Sequence, residues 1–253
     1  MAAAPQISFQ LYSSRNFPPL DKQLATLARL GYRNVEPYSG LYGDVGKLKA
    51  ALDRAGLKAP SGHFGLDTLE ENFTAAIADA RSLGMSLIVC PWMPPDQRPQ
   101  DPDGWSALGK RLGAIGSRVR AEGLRFAWHN HDFEFRPLPD RSMPIEHVMS
   151  DPFVDLEMDV AWIVRGKADP AQWINRFSGR IAACHVKDLA PAGEKTDEDG
   201  WADVGEGVVP WKALWPLIVT AGSNLMIAEH DNPKDFERFA RTSFDAMKQY
   251  ANQ

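Results

Sequence analysis

The sequence predicts a (β/α)8 TIM barrel formed by one domain over residues 1–253, and three observations carry that expectation. Short apolar runs alternate with amphipathic stretches eight times along the 253 residues, which implies parallel strands joined by right-handed crossovers. The length suits one such barrel, about 250 residues. The ionisable side chains gather at the ends of the apolar runs, where a barrel carries its chemistry. An open, doubly wound sheet would place a glycine-rich phosphate loop after its first strand. Here that loop reads Tyr12-Ser-Ser-Arg-Asn-Phe-Pro-Pro19 and has no glycine.

Taken in order, residues 7–11 form a first strand. Apolar residues at 20, 24, 27 and 30 mark a helix over 20–30 that stops at Gly31. A short strand over 33–36 ends at Pro37, and a helix over 45–55 closes at Gly56. The strand over 57–63 is irregular because Pro60 cannot donate to a ladder. A helix over 69–83 stops at Gly84, a buried strand follows over 86–90, and 91–104 is a Pro/Asp-rich loop. Next come a helix over 106–122, a strand over 125–131, a short helix around 145–149 and a strand over 154–159. Asp169 caps a helix over 170–177 with Pro170 at its first position. A strand over 180–187, a long polar loop over 190–209, a helix over 210–221, a strand over 224–229 and a helix over 234–250 complete the chain.

Hydrophobic residues make up 44% and charged residues 24%, ordinary for a globular chain with a large core. A net charge of −5 with scattered Lys and Arg argues against nucleic acid as a partner. No window approaches the ~20 apolar residues of a membrane span. The first six residues lack the basic and apolar regions of a secretory leader, so a cytoplasmic location is expected. Cys90 and Cys184 sit in apolar runs and read as buried structural thiols.

The strand ends supply Glu36, His63, His129 with His131, Asp159, His185 with Lys187, and Glu229. His129 and His131 share a face because strand side chains alternate. His230 points away from Glu229 by the same rule, and His147, on a short helix, is expected to be solvated. Glu36, Asp159 and Glu229 in one barrel mouth would repel each other, and a divalent cation is the physical way to hold them. A mixed nitrogen and oxygen set suits Mn²⁺, Fe²⁺, Co²⁺ or Zn²⁺ better than Ca²⁺. Deeper in the barrel, Glu157 and Arg125 are expected to form an ion pair.

Several segments in order resemble the xylose isomerase-like barrel superfamily of sugar phosphate isomerases/epimerases, including its inosose dehydratase-like members. They are Gly31-Tyr-Arg-Asn-Val-Glu-Pro37, Trp128-His-Asn-His-Asp-Phe-Glu-Phe135, Glu157-Met-Asp-Val-Ala-Trp162, His185-Val-Lys-Asp188, Val204-Gly-Glu-Gly-Val-Val-Pro-Trp211 and Ile227-Ala-Glu-His-Asp-Asn-Pro233. The resemblance implies a metal held by Asp159, His185 and Glu229. The family's fourth ligand, a glutamate, falls on His129, so His129 or the neighbouring His131 takes its place. Mn²⁺ is expected first, then Zn²⁺, Co²⁺, Fe²⁺ or Mg²⁺.

The implied activity is isomerisation or epimerisation of a sugar or keto-sugar through α-proton abstraction and a metal-stabilised enediolate. Glu229, Glu36 or His131 would take the proton, and Lys187 and His63 would contact the developing oxyanion or a leaving hydroxyl. Trp92, Trp128, Trp162 and Trp201 would suit either stacking on a sugar ring or packing between barrel and helices. With one of the family's two glutamates missing, a keto-polyol dehydratase (a lyase) is the runner-up, and a non-catalytic sugar-binding barrel the third reading. Without a phosphate loop, an unphosphorylated substrate is expected. The oligomeric state is open, a homo-oligomer included.

Overall fold

The structure is a computed structural model, and it describes residues 5–252. The part of the leader expectation that rests on residues 1–4 lies outside them. Seven parallel strands form one curled sheet: β1 (Gln6–Phe9), β2 (Ser61–His63), β3 (Leu87–Cys90), β4 (Arg125–His129), β5 (Asp155–Asp159), β6 (Ile181–Val186) and β9 (Leu225–Ala228). Their spatial order is β1-β9-β6-β5-β4-β3-β2. Between them run the helices α1 (Leu20–Leu30), α2 (Val45–Ala55), α3 (Leu66–Glu71), α4 (Phe73–Leu83), α5 (Pro102–Ala121), α6 (Pro144–Val148), α7 (Val160–Arg165), α8 (Pro170–Arg176), α9 (Trp211–Thr220) and α10 (Phe236–Ala251).

The strand expected over 33–36 is not a regular ladder, yet it occupies the eighth position of the ring. It is held by isolated bridges, Gln10 to Glu36 and Asn34 to Lys58. On one side Glu36 N–H donates to Phe9 O at 2.8 Å and Leu11 N–H to Glu36 O at 2.9 Å. On the other, Val35 N–H donates to Lys58 O at 2.8 Å and His63 N–H to Pro37 O at 2.9 Å. Pro37 and Pro60 lack the N–H groups a continuous ladder would need. Segment 33–37 therefore joins β1 to β2 and carries Glu36 into the mouth.

Other boundaries moved for local reasons. The helix expected over 69–83 breaks at Asn72 into α3 and α4. Helix α5 starts four residues early, because Asp101 accepts from Gly104 N–H at 2.8 Å and Pro102 sits at the first helical position. The sequence reading missed α7, whose N-cap is Asp159. The loop over 190–209 is ordered by a hairpin, β7 (Asp188–Leu189) against β8 (Trp201–Ala202). The buried Asp188 carboxylate accepts from the N–H groups of Leu189, Gly205 and Val209 at 2.9, 3.0 and 3.0 Å.

Strand parity separates two apolar layers. Residues such as Phe126, Trp128, Leu156, Met158 and Met226 face the helices in the large core. Leu87, Val89, Ala127, Ala182, Ala183, Leu225 and Ile227 form a second, small cluster. Ala127, Ala183 and Ile227 share strand faces with His129, His185 and Glu229, so this cluster plugs the lumen beneath them. The alanines leave room for the longer polar side chains above. A bulge between β5 and β6 leaves Ala182 unmatched and sets Asp159 opposite His185. No described helix is long and apolar enough to cross a membrane.

Helix α5 lies close to the segment beyond α6. A Cβ on Gly116 would come within 2.3 Å of Phe153 O. Gly116→Ala is expected to destabilise the chain by about 1–3 kcal/mol despite alanine's better helix propensity, as read by urea unfolding.

Candidate metal centre and active site

Each ligand-type residue stands at the C-terminal end of its stave or just beyond it. Glu36, Glu157, Asp159 and His185 are buried, and His63, His129 and Glu229 are nearly so. Two overlapping groups of side chains bring one ligand atom each to within 4.8 Å of the others. The first is His129, Asp159, His185 and Glu229; the second is His63, His129, Glu157 and His185. The first is the set expected from the sequence, with His129 as the member from β4. His131 is not in either group. It lies 5.0 Å from His129, ring centre to ring centre, and lines the cavity above.

His185 joins the two groups. Its Nε2 lies 2.8 Å from Glu36 Oε1 and 3.1 Å from Glu157 Oε2, while its Nδ1 lies 3.0 Å from Glu229 Oε2. Glu157 Oε2 also meets His63 Nε2 at 2.7 Å and His129 Nδ1 at 3.2 Å. Gln10 donates to Glu36 Oε1 at 2.8 Å. Lys187 donates to Asp231 Oδ2 at 2.6 Å and Glu229 Oε2 at 3.2 Å. Asn130 fixes the backbone of Asp159 from both sides. Its Nδ2 donates to Asp159 O and its Oδ1 accepts from Asp159 N–H, each at 3.0 Å.

Without a cation the cluster balances its charge with protons. Burial opposes the charge on His185, but Glu157 and Glu229 outweigh it and hold the imidazole well above its ordinary value. His63 is likewise raised to about 9 by Glu36 and Glu157 against burial. Burial opposes ionisation of Glu229, yet Lys187 and His185 hold its carboxyl well below the usual range. Burial pushes Asp159 up to about 8, against the pull of Lys187. Burial and the neighbouring His129 keep His131 well below its ordinary value, so it is neutral.

This arrangement fits a divalent cation. Asp159 Oδ2 is buried and has no hydrogen-bond partner, while Oδ1 accepts from Trp162 N–H at 2.9 Å. One free oxygen thus remains for a ligand bond. A cation taken up between His129, Asp159, His185 and Glu229 would replace the protons on His185 and Asp159. His185 would then bind through Nδ1 and donate its Nε2–H to Glu36 or Glu157, the usual carboxylate support of a ligating histidine. Three nitrogen- or oxygen-bearing residue types and no thiolate favour a borderline metal such as Mn²⁺, Fe²⁺, Co²⁺ or Zn²⁺.

A cavity of about 640 Å³ opens above the cluster. His63, His129, His131, Trp92, Trp162, Trp201 and Glu229 line it. Glu36 and Lys187 do not reach its wall; they lie beneath, in contact with His185 and Glu229 respectively. Trp128 does not line the cavity either. It neighbours His129 in the strand and so faces the opposite way, where its buried Nε1–H donates to Glu134 Oε1 at 3.0 Å. Glu134 Oε2 accepts from His131 N–H at 2.8 Å, which ties the loop after β4 to the helix-facing core.

Two further expectations are corrected. Glu157 does not pair with Arg125. Register sets Glu157 beside His129 and Asp155 beside Ala127, so Arg125, one step lower, meets Asp155 at 2.8 Å with its side chain half exposed. His147 is part-buried, held by Ser106 and Ser142 at 2.9 and 2.8 Å. His230 is buried as parity required, its Nδ1 accepting from Asn232 N–H at 3.1 Å. Sequence reasoning missed Gln10, Asn130 and the cavity arginines Arg15, Arg98 and Arg165, and gave Glu157 the wrong partner. Glu157 was within reach, since it shares a face with Asp159.

A family model described as xylose isomerase-like TIM barrel matches residues 24–250. An inosose dehydratase of Lacticaseibacillus casei is 28% identical over 169 residues, covering 57% of this chain and 55% of that protein. The chain thus spans about half the length of the curated relatives it matches. A sugar phosphate isomerase/epimerase from Parabacteroides distasonis superposes with a TM-score of 0.80 at 22% identity, covering 99% of this chain and 95% of that one. An IOLI protein structure with a zinc atom superposes with a TM-score of 0.76 at 15% identity, covering 98% of each chain.

Three outcomes follow. Arg125→Met should cost about 1–2 kcal/mol, between an exposed and a buried pair, because Asp155 is nearly buried while Arg125 is half exposed, and a urea-unfolding loss of about 3–5 kcal/mol would contradict the register. Mn²⁺ uptake near pH 7 should release about one to two protons, read by calorimetry in buffers of different ionisation enthalpy. The sign follows from Asp159: below about 8 it carries a proton that the cation must displace, so affinity falls as pH falls. Asp159→Ala should abolish uptake.

Proposed function

The chain belongs to the xylose isomerase-like TIM barrel family, and on that premise we propose that it is a divalent-metal-dependent isomerase or epimerase of a sugar or keto-sugar. The whole chain is read as one domain, a reading supported by the pairing of β1 with β9 that closes the ring. The observation that carries the function is the convergence of His129, Asp159, His185 and Glu229, whose ligand atoms lie within 4.8 Å of one another, together with a buried Asp159 oxygen that has no hydrogen-bond partner. The zinc in the IOLI structure is in keeping with a metal here.

The bound cation would supply Lewis acidity that polarises a substrate carbonyl and so acidifies the carbon next to it. The chain's own groups do the rest. Glu229 is the group to accept the α-proton, since it lines the cavity and Lys187 with His185 keeps it ionised. His131 is neutral and lines the cavity, so it can receive or return a proton at a second position. His63, charged and lining the cavity, stabilises negative charge that develops on a substrate oxygen. Glu36, Glu157 and Lys187 hold these groups in place. Trp92, Trp162 and Trp201 offer ring faces to a sugar.

A second reading, dehydration of a keto-polyol, is favoured by two observations. The proton-handling groups are unlike, a carboxylate and imidazoles, which suits removal of a proton at one carbon and protonation of a departing hydroxyl at the next. The similarity to an inosose dehydratase points the same way.

An NMR screen of keto-sugars in D₂O with the Mn²⁺-loaded protein separates these readings. Deuterium appearing at an α-carbon supports isomerisation or epimerisation, and loss of water with a new vinylic signal supports the lyase. Glu229→Gln should slow either by about 10²–10⁴-fold. Binding without exchange or elimination across the panel would leave a sugar-binding barrel.

A further inference from the structure

Three arginines ring the cavity: Arg15 beyond β1, Arg98 beyond β3 and Arg165 at the end of α7. Among the described residues, none of the three has a carboxylate within ion-pair distance, although most arginines on the helical surface do. Each instead sits over an aromatic ring. Arg15 sits 3.6 Å over Tyr12, Arg98 3.6 Å over Phe133 and Arg165 3.4 Å over Trp201.

Each is steered by backbone carbonyls. Arg15 donates to Tyr12 O at 2.7 Å and Asp231 O at 3.0 Å, Arg98 to Met93 O at 3.0 Å, and Arg165 to Asp199 O at 2.8 Å. A guanidinium has five N–H donors in one plane. A ring against one face leaves the edge donors that the carbonyls do not use pre-oriented and charged. The opposing charges at the rim are mostly spent. Asp132 is engaged by Arg136, Asp231 by Lys187, and Glu229 by Lys187 and His185. Asp199 is the one cavity carboxylate without an ion-pair partner among the described residues.

We propose that these arginines form an anion subsite, and that the substrate carries a carboxylate or phosphate group at the end away from its reacting carbons. The proposal rests on the functional reading above and names its substrate class. The cavity of about 640 Å³ lies in the range that holds a molecule larger than a bare sugar ring. One end would reach His129, Glu229 and His131 on the floor, and the other would meet the edges of Arg98 and Arg165 with Arg15 across the opening. Bidentate pairing of a guanidinium with either anion is strong and directional. This recognition needs no glycine-rich loop, so the lack of that motif does not argue for an uncharged substrate.

The test titrates inorganic phosphate, glucose, glucuronate and glucose 6-phosphate into the full chain, with tryptophan fluorescence and calorimetry as readouts, at low and high salt. At least one anion should bind below about 10 mM and roughly tenfold tighter than glucose, and salt should weaken it. Glucuronate against glucose 6-phosphate decides between carboxylate and phosphate. Arg98→Gln and Arg165→Gln should each weaken that anion about tenfold or more, and Arg15→Gln provides a third variant at an exposed position outside the buried core. No anion binding below about 10 mM, or binding unchanged in all three variants, overturns the subsite. Asp159→Ala separates this proposal from the metal reading. Anion binding should survive there while Mn²⁺ uptake is lost; anion binding lost in Asp159→Ala but kept in the arginine variants would put the anion on the floor and overturn the subsite.

Discussion

Four carboxylates, Glu36, Glu157, Asp159 and Glu229, share the closed end of one barrel lumen, and the mouth is organised around that constraint. An ionised carboxylate taken out of water is costly unless it is paired. Here the pairing comes from three histidines and one lysine, each contacting at least one of the four. The arrangement is self-consistent only when something positive sits among them. Protons fill that role in the bare chain, and a divalent ion held by His129, Asp159, His185 and Glu229 would take their place. The unpartnered Asp159 oxygen marks the place where protons serve least well.

The fold supplies this cluster by simple means. Parallel strands put their C-terminal ends at one rim, strand parity sends alternate residues inward, and small residues such as Ala127 and Ala183 keep the lumen below from being overfilled. Function then divides by depth. Glu36, Glu157 and Lys187 lie under the floor and support it. His63, His129, His131 and Glu229 form the surface that a ligand meets. Tryptophans and arginines from the loops make the walls. Chemistry and recognition are therefore carried by different parts of the chain, the first by strand ends and the second by loops.

Much of this could be read from the sequence because the two rules involved are local. Apolar runs ending in ionisable residues locate the rim, and parity gives an inward set that also holds Glu36, His63, His131 and Lys187; the family resemblance narrows it to Asp159, His185 and Glu229 with His129 or His131. What stayed hidden depends on relations between distant segments. Glu157 was assigned to Arg125 because strand stagger is invisible in one strand alone; the actual register sets it against His129. Trp128 was misplaced although parity excluded it from the lumen side, since residues next to each other in a strand face opposite ways. The eighth stave, with Glu36, was found despite lacking a ladder, because a polar residue after a short apolar run sufficed. Arg15, Arg98 and Arg165 could not be found, since loop arginines share a cavity only once the loops are packed.

The contact between Asn130 and Asp159 has a further consequence. Past the end of β4, a side-chain amide takes over from the main chain and makes one more rung with the adjacent strand, accepting at one atom and donating at the other. Because its two ends differ, the amide can engage the neighbouring backbone in one direction and one alignment only. It works as a key for alignment. Sliding β5 by one residue would present two donors or two acceptors to each other and turn Asp159 outward at the same time. The spacing between the ligand from β4 and the ligand from β5 is thereby locked by a residue that needs no contact with either metal or substrate.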